Sequence, residues 1–434
     1  MPEGTNEFLS NELMVARRQA ACPVGLPSKS GVYADRAEGA ELWDVEGRRY
    51  IDFIGGIGVL NVGHRHPKVV EAIKAQADKV LHTCFGVAQY EPYVELAERL
   101  NKLMSPSDTY KTMFMNTGTE VTEQVCKFAR RITGRSGLIA FEGAFHGRSL
   151  LATALTGKTS YKTDFGPFPP AIFHAPYPNE YSGISVEDAL NALKRIFETS
   201  IAATDVAGII IEPVQGEGGF IPAPNAFLHG LREICDQHGI MFIADEVQTG
   251  FARTGHMFAI ERSGVVPDFL VCAKSIAAGM PLAAVIGKGG LFDKLPAGSM
   301  GSTYGGNPVS CAAAIAVLDV IEEEGLIQRA EAIGAKVEAR WTELQQGVAK
   351  GVFGDVRRVG AMAAVELVKD GDPHKPNAEM AVAIQTKARE LGLIFLTAGQ
   401  SGHVIRTHIP LVASDDVVDE GLDLFAQATN EVLG

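Results

Sequence analysis

The chain has 434 residues, 46% of them hydrophobic and 21% charged, which excludes a disordered, collagen-like or coiled-coil protein and predicts two or three domains with a sizeable core. Its 39 lysines and arginines against 52 acids leave a formal net charge of -13, so no general attraction to nucleic-acid phosphates or anionic lipid is expected. An anionic ligand would have to be held by locally placed arginines.

Six cysteines without a C-x-x-C pair argue against a zinc ribbon or a disulfide framework and fit a reducing, cytoplasmic compartment. The first residues lack a basic stretch followed by an apolar one, so no secretory leader is expected. The most apolar window, 269–285, is broken by Lys274, Gly279 and Pro281, which argues against a membrane span.

In chain order, residues 7–21 are predicted to form a helix and 32–53 a short β-meander that turns at Glu46-Gly47. From about Lys111, short apolar strands alternate with longer helices. The strands fall at 112–115, 138–141, 171–174, 206–211, 240–244 and 269–272, the pattern of a mostly parallel, helix-covered sheet. After the first of them, Val121, Val125, Phe128, Ala129 and Ile132 share one helical face. Helices at 309–323 and 329–344, strands near 356 and 363–367, a further helix and a closing one at 418–426 predict a second, smaller α+β domain. The N-terminal meander is expected to join it, giving boundaries of 1–61, 62–324 for the large domain, and 325–434. The segment 369–376 is the candidate flexible loop.

Lys274 ends an apolar strand, where burial would favour the neutral amine and make it a nucleophile toward carbonyls; the bland alternative is a strand-end lysine reaching out to water. Asp245 ends another apolar strand, at the sheet edge where open α/β sheets bind ligands. Its carboxylate could pair with a protonated pyridine nitrogen, or simply cap a helix. Asn116-Thr117-Gly118-Thr119-Glu120 joins a strand to an amphipathic helix whose start would favour a phosphate, although Thr117 and Glu120 also have capping-box spacing. Together the three suggest anchors for an aldehyde, a ring nitrogen and a phosphate. Arg148 and Arg406 could each hold a carboxylate, and the glycines around Glu217 could present it over a cleft; surface arginines and a solvated loop acid are the alternatives.

Other motifs are incomplete. Gly157-Lys158-Thr159 lacks the earlier glycine of a phosphate-binding loop, since position 152 is Ala152, and Gly56-Ile57-Gly58 meets Asn61 where a dinucleotide fingerprint needs a small residue. His64 and His66 read as hydrogen-bonded loop histidines, no metal site is expected, and no G-x-S-x-G elbow occurs.

The run Phe242-Ile243-Ala244-Asp245-Glu246-Val247-Gln248-Thr249-Gly250 through Ala273-Lys274-Ser275 resembles the class III aminotransferase signature. The likeness extends over nearly the whole chain, through Gly55-Gly56-Ile57, Gly63-His64, His82-Thr83-Cys84-Phe85, Glu142-Gly143-Ala144-Phe145-His146-Gly147-Arg148, 211–219 and Gly301-Ser302-Thr303-Tyr304-Gly305-Gly306-Asn307-Pro308. In these blocks the chain is most similar to bacterial 4-aminobutyrate aminotransferases. The resemblance implies an α/β protein of pyridoxal-phosphate fold type I, with a mostly parallel seven-stranded central sheet in a large domain plus a small α+β domain. A homodimer or dimer of dimers with sites at the subunit interface is also implied.

Pyridoxal 5′-phosphate is the implied cofactor. Lys274 would hold it covalently and shuttle a proton, Asp245 would keep its ring nitrogen protonated, Phe145 and Val247 would sandwich the ring, and Gln248 would lie near the ring hydroxyl. Gly118 and Thr119, with Thr303 of the partner subunit, would bind the phosphate. The implied substrate contacts are Ile57, Arg148, Glu212, Glu217 and Arg406. Arg148 would take the carboxylate of 4-aminobutyrate and Arg406 the α-carboxylate of glutamate, while Glu217 pairs with Arg406 when no carboxylate is there. The expected partners are a small amino donor and a 2-oxo acid, and the expected reaction is 4-aminobutyrate:2-oxoglutarate amino transfer. The alternatives are transfer from 5-aminovalerate, β-alanine or an ornithine-type donor, and a racemase or epimerase reaction on the same anchors. At Gly86, where the bacterial relatives carry glutamine, the pocket is expected to be roomier and to admit 5-aminovalerate. Val121 and Thr122 are a second departure.

Overall fold

The computed structural model describes residues 9–28, 30–104 and 109–434. Its first helix, Asn11–Ala21, starts where the Ser10 hydroxyl accepts the Leu13 amide at 3.1 Å. Residues 7 and 8 of the predicted helix lie outside the described residues. The helix buries none of its side chains and is tied to the meander by Asn11, which donates to Asp44 at 2.9 Å and accepts from the Tyr33 amide at 2.9 Å.

The meander consists of antiparallel strands Ala34–Glu38, Glu41–Asp44 and Arg49–Asp52. A fourth strand, Leu393–Ile394, pairs parallel with the last of these, so the beginning and end of the chain share one small sheet. His64 bonds Asp52 at 2.8 Å and His66 bonds Glu324 at 2.9 Å, which accounts for both loop histidines.

The central sheet has seven strands in the spatial order Tyr110–Met115, Ala283–Lys288, Phe269–Cys272, Met241–Asp245, Val206–Ile211, Gly137–Phe141 and Ile172–Ala175. All neighbours run parallel except Ala283–Lys288, which is antiparallel to both of its partners. Strands covered on both faces by helices must be apolar throughout, and every residue of Val206–Ile211 and Phe269–Cys272 is buried. The helix Gly118–Thr133 lies on one face through Val121, Thr122, Val125, Cys126, Phe128 and Ala129. The two departures at Val121 and Thr122 are thus core positions, both fully buried.

In the C-terminal region the strands Phe353–Val359, Met362–Lys369, Val404–Thr407 and Leu396–Ala398 form an antiparallel sheet packed by the helices Leu326–Gln346, Ala378–Leu391 and Asp415–Leu433. The expected flexible loop at 369–376 is corrected: Asp372–Pro376 is an edge strand that folds back on Met362–Lys369 through Gly371 at φ 71°. Its prolines are tolerated because the outer side of an edge strand needs no donor. Among the described residues no helix is long and apolar enough to cross a membrane.

Register decides where the chemistry sits. Ala244 pairs with Ile211 and Asp245 with Val271, so three adjacent parallel strands end together. Glu212, Asp245 and Lys274 follow from those three ends, at the carboxyl edge of the sheet.

Candidate active site

Asp245 is the last residue of its strand and only 3% exposed. One oxygen accepts from His146 Nδ1 at 2.7 Å and the other from the Val247 amide at 3.0 Å. No helix follows it, so the carboxylate is not serving as a helix cap. His146 is fully enclosed; burial disfavours its charged form, but the Asp245 carboxylate more than offsets this and raises its pKa above the ordinary value. Its Nε2 has no hydrogen-bond partner among the described residues.

Lys274 begins a single helical turn, Lys274–Ala277, at a backbone φ of 38°, a strained left-handed conformation for a residue with a side chain. Burial lowers the pKa of its amine to about 8, with Glu217 opposing and Arg406 reinforcing the shift. The side chain lines a cavity of about 470 Å³ instead of reaching out to bulk water. Asp245, Gly118, Thr119, Phe145 and Val247 line the same cavity, as do Gln248, Arg148 and Glu212.

The start of the helix Gly118–Thr133 carries the capping box. Thr117 Oγ1 accepts the Glu120 amide at 3.4 Å, and Glu120 accepts the Asn116 and Thr117 amides, each at 2.8 Å. The box leaves the Gly118 and Thr119 amides, which as helix-start donors have no intrahelical partner, available to an anion in the cavity that both residues line. A Cβ on Gly118 would stand 2.9 Å from Val247 Cγ1, so the close approach of helix and Val247 requires glycine. Thr119 Oγ1 lies 2.7 Å from Ser149 Oγ, which is in turn bonded to Glu123.

Glu212 accepts the Phe145 amide at 2.8 Å and the Gly216 amide at 2.8 Å, tying two loops over the cavity. Burial pushes its pKa up to about 7 even though His146 opposes the shift. Glu217 forms an ion pair with Arg406, which is 2% exposed and also donates to the Gly216 carbonyl at 3.0 Å. Burial would raise the Glu217 pKa, but Arg406 and Lys274 hold it below the usual carboxylate range. The solvated-acid alternative for this loop is therefore excluded. Arg148 is exposed at the cavity, 5.0 Å from the Tyr161 ring, with no acidic partner among the described residues. Tyr161 also meets the Phe145 ring edge-on at 5.2 Å.

Four predicted positions lie apart from the cavity lining. Glu217 and Arg406 form their pair beside it, while Ile57, 44% exposed at φ 66°, and Thr303, also exposed, do not reach it within one chain. Gly86 does not line the cavity within one chain, and no atom of the described residues lies within 4 Å of where its Cβ would be. Sequence reasoning gave no role to His146 or His408. Each contacts a predicted site residue, 99 and 160 positions away in the chain: His146 meets Asp245 at the edge of the central sheet, and His408 meets Gln248 where the C-terminal sheet adjoins it.

An amine with its pKa lowered to about 8, a buried carboxylate and a pair of free helix-start amides surround one cavity. This donor set fits a planar aldehyde carrying a ring nitrogen and a phosphate, and pyridoxal phosphate has those three groups. Comparison with known proteins agrees. The family model described as aminotransferase class-III matches residues 27–429. A 5-aminovalerate aminotransferase of Pseudomonas putida is 48% identical over 98% of this chain and 99% of its own. A 4-aminobutyrate aminotransferase of Escherichia coli K12 is 47% identical over 97% and 99%. An (S)-enantioselective ω-transaminase from Thermomicrobium roseum, of known structure, superposes with a TM-score of 0.88 at 30% identity over 99% and 100% of the two chains. The chain therefore belongs to the class-III aminotransferases, pyridoxal-phosphate-dependent enzymes of fold type I.

Proposed function

We propose that the protein transfers the terminal amino group of a short ω-amino acid to 2-oxoglutarate, and that 5-aminovalerate is accepted at least as well as 4-aminobutyrate. The observation that carries this reading is the ion pair of half-buried Glu217 with buried Arg406, beside a cavity where Arg148 has no acidic partner among the described residues. A pocket serving an ω-amine donor and a dicarboxylate acceptor in turn needs one permanent carboxylate site and one that can be closed. Arg148 is the first and Arg406 the second, closed by Glu217. A racemase has no use for the second. The lack of a side chain at Gly86 in the sequence and the similarity to both 5-aminovalerate and 4-aminobutyrate aminotransferases favour the longer donor over 4-aminobutyrate alone.

When bound, pyridoxal phosphate supplies an aldehyde that condenses with amines and a ring that withdraws electrons from the adjoining carbon. Lys274 would hold it, and its Nζ, once the donor's amine has displaced it from the aldehyde carbon, would take the proton released from the amine-bearing carbon of the donor and keep it for return. Asp245, fixed by His146 Nδ1 and the Val247 amide, would pair with the protonated ring nitrogen. Phe145 and Val247 would flank the ring, Gln248 would face its hydroxyl, and the Gly118 and Thr119 amides would bind the phosphate. Glu212 holds the Phe145 and Gly216 loops in register beside the cavity. Thr303 of the partner subunit completes the phosphate site in a homodimer or dimer of dimers. For glutamate, Glu217 swings off Arg406 so that the α-carboxylate can take its place, which avoids an unpaired buried arginine in either half-reaction.

The test is a panel of half-reactions, following the visible absorbance of the cofactor-loaded protein mixed with single donors. 5-Aminovalerate and 4-aminobutyrate should both react rapidly. β-Alanine and ornithine should be slower by about tenfold or more, the scale of discrimination for a mis-sized chain. A 5-aminovalerate rate more than tenfold below that of 4-aminobutyrate, or a faster reaction with β-alanine or ornithine, would overturn the assignment. In the same panel Glu217→Gln should alter the ω-amino donor and glutamate rates by unequal factors, and equal loss in both would count against the switch.

A further inference from the structure

His408 follows the strand Val404–Thr407 directly and is fully buried. Its Nε2 lies 3.1 Å from Gln248 Oε1, and Arg406 approaches the same oxygen at 3.4 Å. A guanidinium can only donate, so the end of the Gln248 amide that faces Arg406 must be the carbonyl oxygen. The imidazole nitrogen meeting that oxygen must then carry a proton.

Burial, together with the positive charges of Arg406, Arg253 and Lys274, holds the His408 pKa well below its ordinary value, so the ring is neutral. A neutral ring protonated on Nε2 leaves Nδ1 bare, and Nδ1 indeed has no hydrogen-bond partner among the described residues. With its oxygen taken twice, Gln248 is left with its NH2 end, and Gln248 lines the cavity.

The packing is tight around this arrangement. A Cβ on Gly216 would stand 2.6 Å from the Gln248 amide atoms, and one on Gly58 2.7 Å from the His408 ring. Phe220 meets the His408 ring edge-on at 4.9 Å.

We propose that His408 is a positioning residue for the cofactor: by donating from Nε2 to Gln248 Oε1, it fixes the amide so that Gln248 Nε2 donates into the cavity, toward the ring oxygen of pyridoxal phosphate. The proposal rests on the reading of this cavity as the cofactor site. Arg406 contributes less to the lock, because its contact is the longer one and it must turn toward the substrate carboxylate in one half-reaction. The His408 contact does not depend on Arg406, so the amide keeps its orientation whichever partner Arg406 holds.

The experiment is a pH titration of the visible absorbance of the cofactor-loaded protein. Removing a donor from the ring oxygen leaves more negative charge on the chromophore, which then keeps its proton to higher pH. His408→Leu and Gln248→Ala should each raise the midpoint by about one pH unit, the scale of one hydrogen bond to a charged group. The double variant should shift no further than either single one. His408→Gln, which restores an amide donor at the Nε2 position, should return the midpoint to that of the wild type. His408→Met serves the same purpose if the leucine variant does not fold, and the same upward shift is required of it. A wild-type midpoint in the leucine or methionine variant, or full additivity in the double variant, would overturn the proposal. A wild-type protein that shows no visible band after incubation with pyridoxal phosphate would refute the cofactor reading itself, and the positioning role with it.

Discussion

The amine of Lys274 has a pKa lowered from 10.5 to about 8 by burial, and the sign of the consequence follows from linkage. Between those two values the unfolded chain binds more protons at this residue than the folded one. The contribution to cofactor-free stability therefore rises as pH climbs from about 8 toward 10.5. Below about 8 the folded protein carries a buried charge and the amine is no longer nucleophilic. The rate of pyridoxal phosphate capture by cofactor-free protein should accordingly rise with pH and level off above about 8, as read by stopped-flow absorbance. A rate still climbing toward pH 10.5 would show an ordinary, solvated lysine. Lys274 and Asp245 were legible in the sequence because each ends an unbroken apolar run, a local signal. His146 and His408 were not, since what makes them matter is a neighbour about a hundred residues or more away in the chain.

At the scale of elements, the helix Gly118–Thr133 serves the cavity by how closely its first turn meets Val247. Gly118→Ala would place a methyl group 2.9 Å from Val247 Cγ1 and press that side chain toward the ring position. Overpacking of this kind costs about 1–3 kcal/mol, so cofactor affinity should fall by roughly tenfold to a hundredfold. The thermal midpoint of the cofactor-free protein should move little, because Val247 has the empty cavity to yield into. Equilibrium titration with pyridoxal phosphate measures the first, and an unchanged affinity would contradict the account. The six parallel strands and the amphipathic helix could be read from apolar runs and helical spacing. The seventh strand, Ala283–Lys288, could not, because it follows Pro281 within a longer apolar window and only the single turn Lys274–Ala277 separates it from its antiparallel partner Phe269–Cys272. The edge strand Asp372–Pro376 hid for the opposite reason, being exposed and proline-bearing.

At the scale of the molecule, Arg253 connects segments far apart in the chain. It is fully buried, donates to Asn61 Oδ1 at 3.0 Å and to the Ile409 carbonyl at 2.7 Å, and offers its own carbonyl to the Ala361 amide at 3.0 Å. No acid pairs with it among the described residues, and burial lowers its pKa to about 9. The N-terminal segment, the sheet edge and the C-terminal region that carries Arg406 are thus held by one side chain. Arg253→Met would leave Asn61 and the Ile409 carbonyl buried without this donor, and should cost about 2–4 kcal/mol of stability in chemical denaturation. Unchanged stability would show the connection to be incidental. A single arginine inside a loop carries no sequence signal for such a role, since its partners lie 192 and 156 positions away.

The central claim is that the Lys274 amine is the covalent anchor of the cofactor. Borohydride reduction of the protein loaded with pyridoxal phosphate, followed by proteolysis and peptide mass mapping, tests it most directly. The account predicts one reduced adduct per chain, on the peptide that contains Lys274, and none in Lys274→Ala; an adduct on another lysine, or no adduct at all, would contradict it.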